Sequence, residues 1–408
     1  MNQDILKNYA NLLVKAGGNV QPGQLVVIRC AIEDAAFGRM VQECAYDAGA
    51  SEVEFDWNDD QSSRTTWLRA ADEAFETFPQ WAVDKMKYRN DKGACYLHIT
   101  SSNPDNLKGV DSERLRKYSM VAGKATKEES AKIMAGEQRW SVVALPSPAW
   151  AKKVFPDLSE TEAVDKLWPL VLKAARADGE NPIEEWKQHD ENFTKNVNYL
   201  NEQQFSALRF ITGLGTDITI GLVKNHRWAG GSDVAKDGIR FFPNIPTEEV
   251  FTMPHREKAD GHVVASMPLS YQGNLIEDFE FTFKDGKVVS YKAKTNEHLL
   301  KNMVEMDDGA ARLGEVAIVP NSSPIGQMNT LFYNTLFDEN ASAHLALGKA
   351  YPNNIQDGDS LPLETLIEQG GNDSLIHVDF MFGTPDMKII GIKDDGTEIC
   401  FFNHGAYL

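Results

Sequence analysis

Strand and helix patterns alternate along the first half of the chain, and this alternation constrains the fold more than any other feature. Residues 25–28 are all apolar, which is typical of a strand covered on both faces of a sheet. Residues 37–48 carry apolar side chains at a helical period, and residues 53–57 alternate as a second strand. The same succession continues with a helical pattern over 63–88 and with strands over 94–100 and 141–145. This order predicts an α/β domain with a mainly parallel sheet.

The pattern changes after residue 200, where short strands are joined by tight turns. Phenylalanines alternate with other residues over 279–283, an Asp-Gly turn follows at 285–286, and the alternation returns over 289–291. A second Asp-Gly turn lies at 395–396, again between alternating apolar residues. These hairpins predict an α+β domain that is rich in antiparallel strands.

A polar stretch separates the two patterns. Residues 178–200 show little apolar periodicity, and a chain of 408 residues is long enough for two or three domains at ~150 residues each. We therefore predict an N-terminal α/β domain over residues 1–190 and a C-terminal α+β domain over residues 191–408.

The charge and the hydropathy of the chain exclude several classes of partner. The net charge of -19 argues against nucleic acid, because the neutralisation of phosphates requires a basic protein face. No apolar run approaches the ~18 residues that a membrane helix needs. The N-terminus also lacks a basic region followed by an apolar one. We expect no nucleic-acid partner, no membrane span and no signal peptide.

Two polar residues interrupt an apolar run near the C-terminus. His377 and Asp379 are two residues apart among β-branched and aromatic neighbours, so in a strand their side chains point to the same face. An imidazole and a carboxylate on one apolar strand face are good metal ligands. Upstream, His344 and Tyr351 are seven residues apart, which predicts that they share one face of a helix.

Two carboxylates stand at the entrance of other apolar runs. Glu249 precedes the apolar residues 250–251, and Glu315 precedes residues 316–319. Burying an unpaired carboxylate is costly, so each needs a basic side chain or a metal ion. Either glutamate taken singly is better explained by a salt bridge or an exposed strand end. Together with the two histidines and Asp379, they would suit two divalent cations with one bridging carboxylate.

Several of these segments, in this order, resemble the M29 family of metallo-aminopeptidases. The resemblance is carried by residues 244–252, 313–317, 343–348 and 376–380, and it extends to residues 215–217 and 226–228. It spans nearly the whole chain. It implies an N-terminal α/β domain, a C-terminal metal-binding catalytic domain and a cytoplasmic homodimer that removes N-terminal residues from short peptides.

The resemblance also implies a set of site residues. It implies two divalent ions per subunit (Zn²⁺, Co²⁺ or Mn²⁺) with the ligands Glu249, Glu315, His344, His377 and Asp379, Glu315 being the bridge. The two ions would share a water and lower its pKa towards neutral. Tyr351 would stand beside the metals and donate to the oxyanion. Glu248 is a candidate general base, although in a strand it would face away from Glu249.

Two other hypotheses compete with an aminopeptidase. A phosphoesterase would need basic side chains to hold phosphate, and few lie near the predicted ligands. A catalytically idle homologue would use the same cluster only as a metal-dependent peptide-binding or structural module. The presence of all five predicted ligands disfavours the idle homologue.

Overall fold

The computed structural model describes residues 2–101, 103–358 and 361–408, and it divides the chain into two compact units. The first unit runs to His189 and includes the later segment Ser232–Pro246. The second unit contains Asp190–Gly231 and Thr247–Leu408. The domain boundary predicted after residue 190 stays a prediction about independently folding domains.

A parallel sheet of four strands forms the centre of the first unit. The strand order is β2-β1-β3-β4, and every pair in the sheet is parallel. Side chains on both faces of the inner strand β1, such as Val26 and Val27, are buried, as expected for a strand that is covered on both faces. The strands are β1 Leu25–Ala31, β2 Glu52–Asn58, β3 Cys95–Thr100 and β4 Trp140–Ala144. The predicted α/β fold with a parallel sheet is confirmed.

Helices precede, connect and follow these strands. Their starts carry the expected caps, for example Ser159, which forms a capping box with Glu162. The helices are α1 Gln3–Leu12, α2 Ala35–Asp47, α3 Asp60–Arg69, α4 Gln80–Asp91, α5 Ser112–Met134, α6 Pro148–Val154, α7 Glu160–Ala174 and α8 Pro182–Gln203. Helix α8 occupies most of the stretch 178–200, where the sequence shows little apolar periodicity.

Antiparallel strands dominate the second unit, as predicted. A large sheet has the order β14-β13-β10-β6-β5-β18-β19-β20, and a smaller one has the order β17-β16-β15-β9. The hairpins predicted at the two Asp-Gly turns are the pairs β13–β14 and β18–β19. A core of phenylalanines and aliphatic residues packs between these elements, including Phe281, Leu345 and Phe380.

The remaining elements are short. A two-stranded ribbon of the first unit and a hairpin of the second, β11–β12, complete the sheets. The strands are β5 Ala207–Ile211, β6 Asp217–Leu222, β7 Asp233–Val234, β8 Arg240–Phe241, β9 Val250–Thr252, β10 Pro254–Val264, β11 Leu269–Tyr271, β12 Asn274–Ile276, β13 Glu280–Lys284, β14 Lys287–Lys292, β15 Leu313–Ile318, β16 His344–Gly348, β17 His377–Met381, β18 Lys388–Ile392, β19 Glu398–Asn403 and β20 Ala406–Tyr407. The helices are α9 Glu297–Val304, α10 Pro324–Gln327, α11 Thr335–Asp338 and α12 Leu363–Glu368. In the described part of the chain, no helix combines the length and the hydrophobicity that a membrane span requires.

The prediction that His344 and Tyr351 share one face of a helix is wrong. Residues 344–348 form strand β16, which lies between β15 and β17, and Tyr351 follows the strand. All five strand residues are buried. Because their burial covers both faces of the sheet, the apolar pattern does not distinguish a strand from a helix here.

Candidate metal centre

One face of the smaller sheet carries the polar residues predicted from sequence. Ala346 of β16 is paired with Glu315 on one side and with Asp379 on the other. Directly paired residues of antiparallel strands project to the same face. The carboxylates of Glu315 and Asp379 therefore flank the methyl group of Ala346 on this face. His344 lies two residues before Ala346 and so projects to this face as well.

The opposite face of the same strands is apolar. Leu345 and Leu347 alternate with the site residues of β16 and belong to the hydrophobic core, as does Val316 of β15. The alternation of strand β16 therefore separates an apolar face, which holds the sheet in place, from a face that can bind a ligand.

A β-bulge sets the direction of Glu315. Leu313 is paired with Leu347, but Glu315 is paired with Ala346, so Gly314 is an extra residue in β15. In a regular strand, Glu315 would share the face of Leu313, which belongs to the core; the bulge places the two side chains on opposite faces. A Cβ on Gly314 would lie 2.3 Å from the carbonyl oxygen of Lys349, so only glycine fits here.

Glu248 and Glu249 lie just before strand β9, which begins at Val250, and both are buried. The backbone N–H of Glu248 donates to Oδ1 of Asn340 at 2.6 Å. Because neither glutamate lies in the strand, the predicted alternation of their side chains does not apply. Glu249 reaches the sheet face, where its Oε2 lies 2.9 Å from Nε2 of His344.

Glu315 lies between the two imidazoles. Its Oε1 is 3.6 Å from Nε2 of His344, and its Oε2 is 3.7 Å from Nε2 of His377. Nε2 of His377 is also 3.4 Å from Oδ1 of Asp379. Donor atoms of Glu249, Glu315 and His344 all lie within 4.8 Å of one another. The structure thus brings together all five residues predicted as ligands.

Both histidines direct the same nitrogen towards the carboxylates. Nδ1 of His344 lies 3.2 Å from the carbonyl oxygen of Ser342, and Nδ1 of His377 lies 2.7 Å from that of Lys349. A carbonyl oxygen only accepts, so each Nδ1–H donates. When the ring is neutral, the Nε2 lone pair is left facing the cluster. This is the arrangement of metal-ligating histidines.

The electrostatics of the cluster show an excess of negative charge. Burial acts to lower the pKa of His377, but the hydrogen bond and charge of Asp379 raise it to about 9. Burial also opposes protonation of His344, yet its bonds with Glu249 and Glu315 hold its pKa well above the usual value. Burial and the neighbouring carboxylates raise the pKa of Glu315 to about 7. In this part of the described chain, these carboxylates form their ion pairs with histidines. A bound cation would therefore neutralise the remaining negative charge of the cluster.

Glu339 is not among the site residues predicted from the sequence. This residue lies in a short 3₁₀ helix, and its carboxyl faces the charges of Asp379, Glu249 and Glu315. Burial and these neighbouring carboxylates hold its pKa well above the usual value. It adds a fourth carboxylate to the cluster. An acid in a short stretch without strand or helix periodicity gives no sequence signal of its position.

Tyr351 stands beside the cluster, as the resemblance implies. Its ring centroid is 4.7 Å from that of His377 and 6.5 Å from that of Phe251. Burial and the charge of Glu315 raise the pKa of the phenol far above its usual value. The hydroxyl therefore stays protonated at ordinary pH and is available as a hydrogen-bond donor.

The chain matches a family of metalloproteases over nearly its whole length. Residues 2–407 match the model of the thermophilic metalloprotease family M29. The chain is 45% identical over 98% of its length to Aminopeptidase 2 of Geobacillus stearothermophilus, covering 97% of that protein. It is likewise 45% identical to Aminopeptidase AmpS of Bacillus subtilis (strain 168), with 98% of each chain covered. The structure of wild-type AmpT from Thermus thermophilus superposes with a TM-score of 0.92 at 37% identity, with 99% of both chains covered. The chain belongs to the M29 metalloprotease family.

Proposed function

We propose that this protein is a metallo-aminopeptidase that releases N-terminal residues from peptides at a centre of two divalent ions. The chain is a hydrolase of the M29 family, and its relatives are named as aminopeptidases. The observation that carries the two-ion proposal is the position of Glu315, which presents one oxygen to each of two imidazoles.

The donor set fits two ions that share one carboxylate. Glu249, Glu315 and His344 would hold the first ion, and Glu315, His377 and Asp379 the second. Glu339 is placed to serve as a sixth donor from the side of Asp379. Mixed oxygen and imidazole donors suit Zn²⁺, Co²⁺ or Mn²⁺. The hydrogen bonds from Nδ1 of His344 and His377 to backbone carbonyls orient both rings for metal binding.

Divalent ions bound there would act as Lewis acids and would lower the pKa of a bound water. The protein supplies the remaining groups. The phenol of Tyr351 donates a hydrogen bond to the oxyanion that develops on the scissile carbonyl, a contribution of ~3–4 kcal/mol for such donors. The surplus carboxylates pair with the α-ammonium of the substrate, which selects for a free N-terminus. Glu248 stays a predicted proton acceptor.

The family resemblance also supports proposals for the substrate, the location and the assembly of the enzyme. The substrates are short peptides with a free amine. The enzyme works in the cytoplasm and assembles as a homodimer.

A single substitution separates the proposal from its competitors. Glu315→Gln removes the shared charge, so we expect loss of bound metal and a fall of more than ~100-fold in kcat/KM on leucyl-p-nitroanilide. Glu368→Gln, on the exposed face of α12, is the matched control. Metal content is read by mass spectrometry, and a chelator followed by added Zn²⁺, Co²⁺ or Mn²⁺ should abolish and then restore turnover.

The other outcomes are equally distinct. Bound metal with no turnover of any aminoacyl substrate would support the idle homologue. Turnover of p-nitrophenyl phosphate in preference to aminoacyl substrates would support a phosphoesterase. Full peptidase turnover in Glu315→Gln would contradict the role of Glu315 as the shared ligand.

A further inference from the structure

A cavity of ≈ 50 Å³ lies in the second unit, directly beside the candidate metal centre. Asp379 and Glu339 of the carboxylate cluster line the cavity, and so do the apolar side chains of Pro268, Leu269 and Met381, among polar residues such as Ser270. The cavity therefore borders both the cluster of carboxylates and apolar side chains within one unit of the fold.

Strand geometry explains why a ligand carboxylate and an apolar side chain line the same cavity. His377, Asp379 and Met381 are alternate residues of β17, so their side chains project to the same face of the sheet. Met381 is also paired with His344 across the sheet. The row that carries the ligands therefore ends in an apolar side chain, and that side chain lines the cavity.

Another part of the cavity lining, at Tyr333, is held in a defined conformation. Tyr333 lines the cavity with a left-handed backbone, at φ 54. The buried carboxylate of Asp338 accepts the backbone N–H groups of Phe332 and Asn334 at 2.7 and 3.0 Å, on either side of Tyr333. A non-glycine residue keeps such a conformation only when its surroundings enforce it. The wall is thus built before any ligand arrives.

We propose that this cavity receives the side chain of the first substrate residue and selects aliphatic side chains of about four non-hydrogen atoms, such as leucine and methionine. The inference rests on the proposed aminopeptidase function. The scissile carbonyl, the α-ammonium and the side chain all diverge from one α-carbon. If the first two groups meet the metal centre and its carboxylates, the side chain must enter the adjoining space.

The size of the cavity sets the expected preference. One water-sized group takes roughly 10–15 Å³ of such a volume. A cavity of ≈ 50 Å³ therefore holds about four such groups, which matches leucine. The phenylalanine side chain has seven non-hydrogen atoms and exceeds this space, while alanine leaves most of it empty. Each excess or missing methylene in an apolar pocket changes kcat/KM by ~10–200-fold.

The test compares kcat/KM for alanyl-, leucyl- and phenylalanyl-p-nitroanilide. We expect the metal-loaded wild type to favour leucine over both others by at least ~10-fold. Met381→Ala enlarges the cavity and should raise the ratio of phenylalanine to leucine by ~10-fold or more. Ser270→Leu, at a half-buried position of the cavity wall, should lower the ratio of leucine to alanine by a similar factor. Met306→Ala, at an exposed position elsewhere, is the control and should change neither ratio.

The outcomes separate this inference from the proposed function. If Met381→Ala does not fold, as judged by circular dichroism, Ser270→Leu decides alone. Wild-type turnover that favours phenylalanine over leucine, or ratios that stay unchanged in the folded variants, would overturn the assignment of the cavity while leaving the aminopeptidase intact. Loss of turnover on every aminoacyl substrate in the wild type would instead contradict the proposed function.

Discussion

The two four-stranded sheets of the molecule place histidine in opposite electrostatic surroundings. His98 lies on β3 of the parallel sheet, where burial and the charge of Arg29 lower its pKa to about 4. His344 and His377 lie on β16 and β17 of the antiparallel sheet, where carboxylates overcome the effect of burial and raise the pKa of each ring. Burial alone therefore does not decide what a histidine does. The groups that face the ring decide whether it is a neutral core residue or part of a cation site.

The contrast between the two sheets is tested most strongly by disturbing the bulge at Gly314, which turns Glu315 towards the two histidines of the antiparallel sheet. In Gly314→Ala, the new Cβ meets carbonyl oxygens at 2.3 and 2.4 Å, so β15 must shift. We expect a loss of ~2–4 kcal/mol in stability and a fall in activity of more than ~100-fold, with loss of metal. Thermal unfolding, metal analysis and kinetics measure the three effects.

Gly123→Ala provides the control for that substitution. This exposed glycine lies in helix α5 of the first unit, and a Cβ there would meet nothing within 4 Å. Because alanine favours a helix over glycine by ~1 kcal/mol, we expect unchanged or slightly higher stability and full activity. Equal behaviour of the two variants would contradict the role assigned to the bulge.

A smaller change removes only a hydrogen-bond donor. Tyr351→Phe should lower kcat by ~10²–10³ while the KM and the metal content stay close to those of the wild type. The expected separation of kcat from metal binding follows from a phenol that contacts the substrate and not the ions. Tyr88→Phe, at an exposed position of the first unit, serves as the matched control. Loss of metal along with activity would show instead that Tyr351 maintains the structure of the centre.

The space between the two carboxylates can be tested without changing a ligand. Ala346→Val adds two methyl groups between Glu315 and Asp379, while a β-branched residue still suits a strand. We expect metal affinity to fall by ~10–100-fold with modest destabilisation. Ala346→Gly keeps the space and should retain the metal, although the strand is weakened. Isothermal titration with Zn²⁺ measures both, and tighter or equal binding by the valine variant would contradict this account.

The smallest expected effect concerns His98 of the parallel sheet and the pH dependence of the free energy of unfolding. The pKa of His98 falls from 6.5 in the unfolded chain to about 4 in the fold. Between these values the unfolded state binds more protons, so the free energy of unfolding decreases as the pH falls through this window. The full loss, reached below both pKa values, is on the order of 3 kcal/mol. Urea unfolding at pH 7.5 and pH 4.5 should show a weaker pH dependence in His98→Gln, and identical dependence in both proteins would contradict the lowered pKa.

Local patterns in the sequence were enough for much of this architecture. The Asp-Gly turns fixed both hairpins, because turn chemistry acts over a few residues. His377 and Asp379 were placed correctly on one face, because the period of a strand is two. The histidine of β16 was assigned to a helix, because a run that is buried on both faces loses the alternation that identifies a strand.

Other parts of the site depend on contacts that are distant in sequence. The pairing of β15 with β16 defines the bulge at Gly314, and nothing within β15 itself reveals that Glu315 changes face there. Glu339 approaches Asp379 only through tertiary folding, 40 residues apart in the chain. The resemblance to a family supplied the ligand set that these local patterns left open.

The bulge at Gly314 lets Leu313 and Glu315, which are two residues apart, face opposite sides of the sheet. If the same residues formed a regular strand, every ligand would remain in the chain, yet Glu315 would share the core face of Leu313. A designer who transplants this centre to another sheet must therefore copy the bulge together with the side chains. In a regular strand, the same sequence would turn Glu315 to the opposite face.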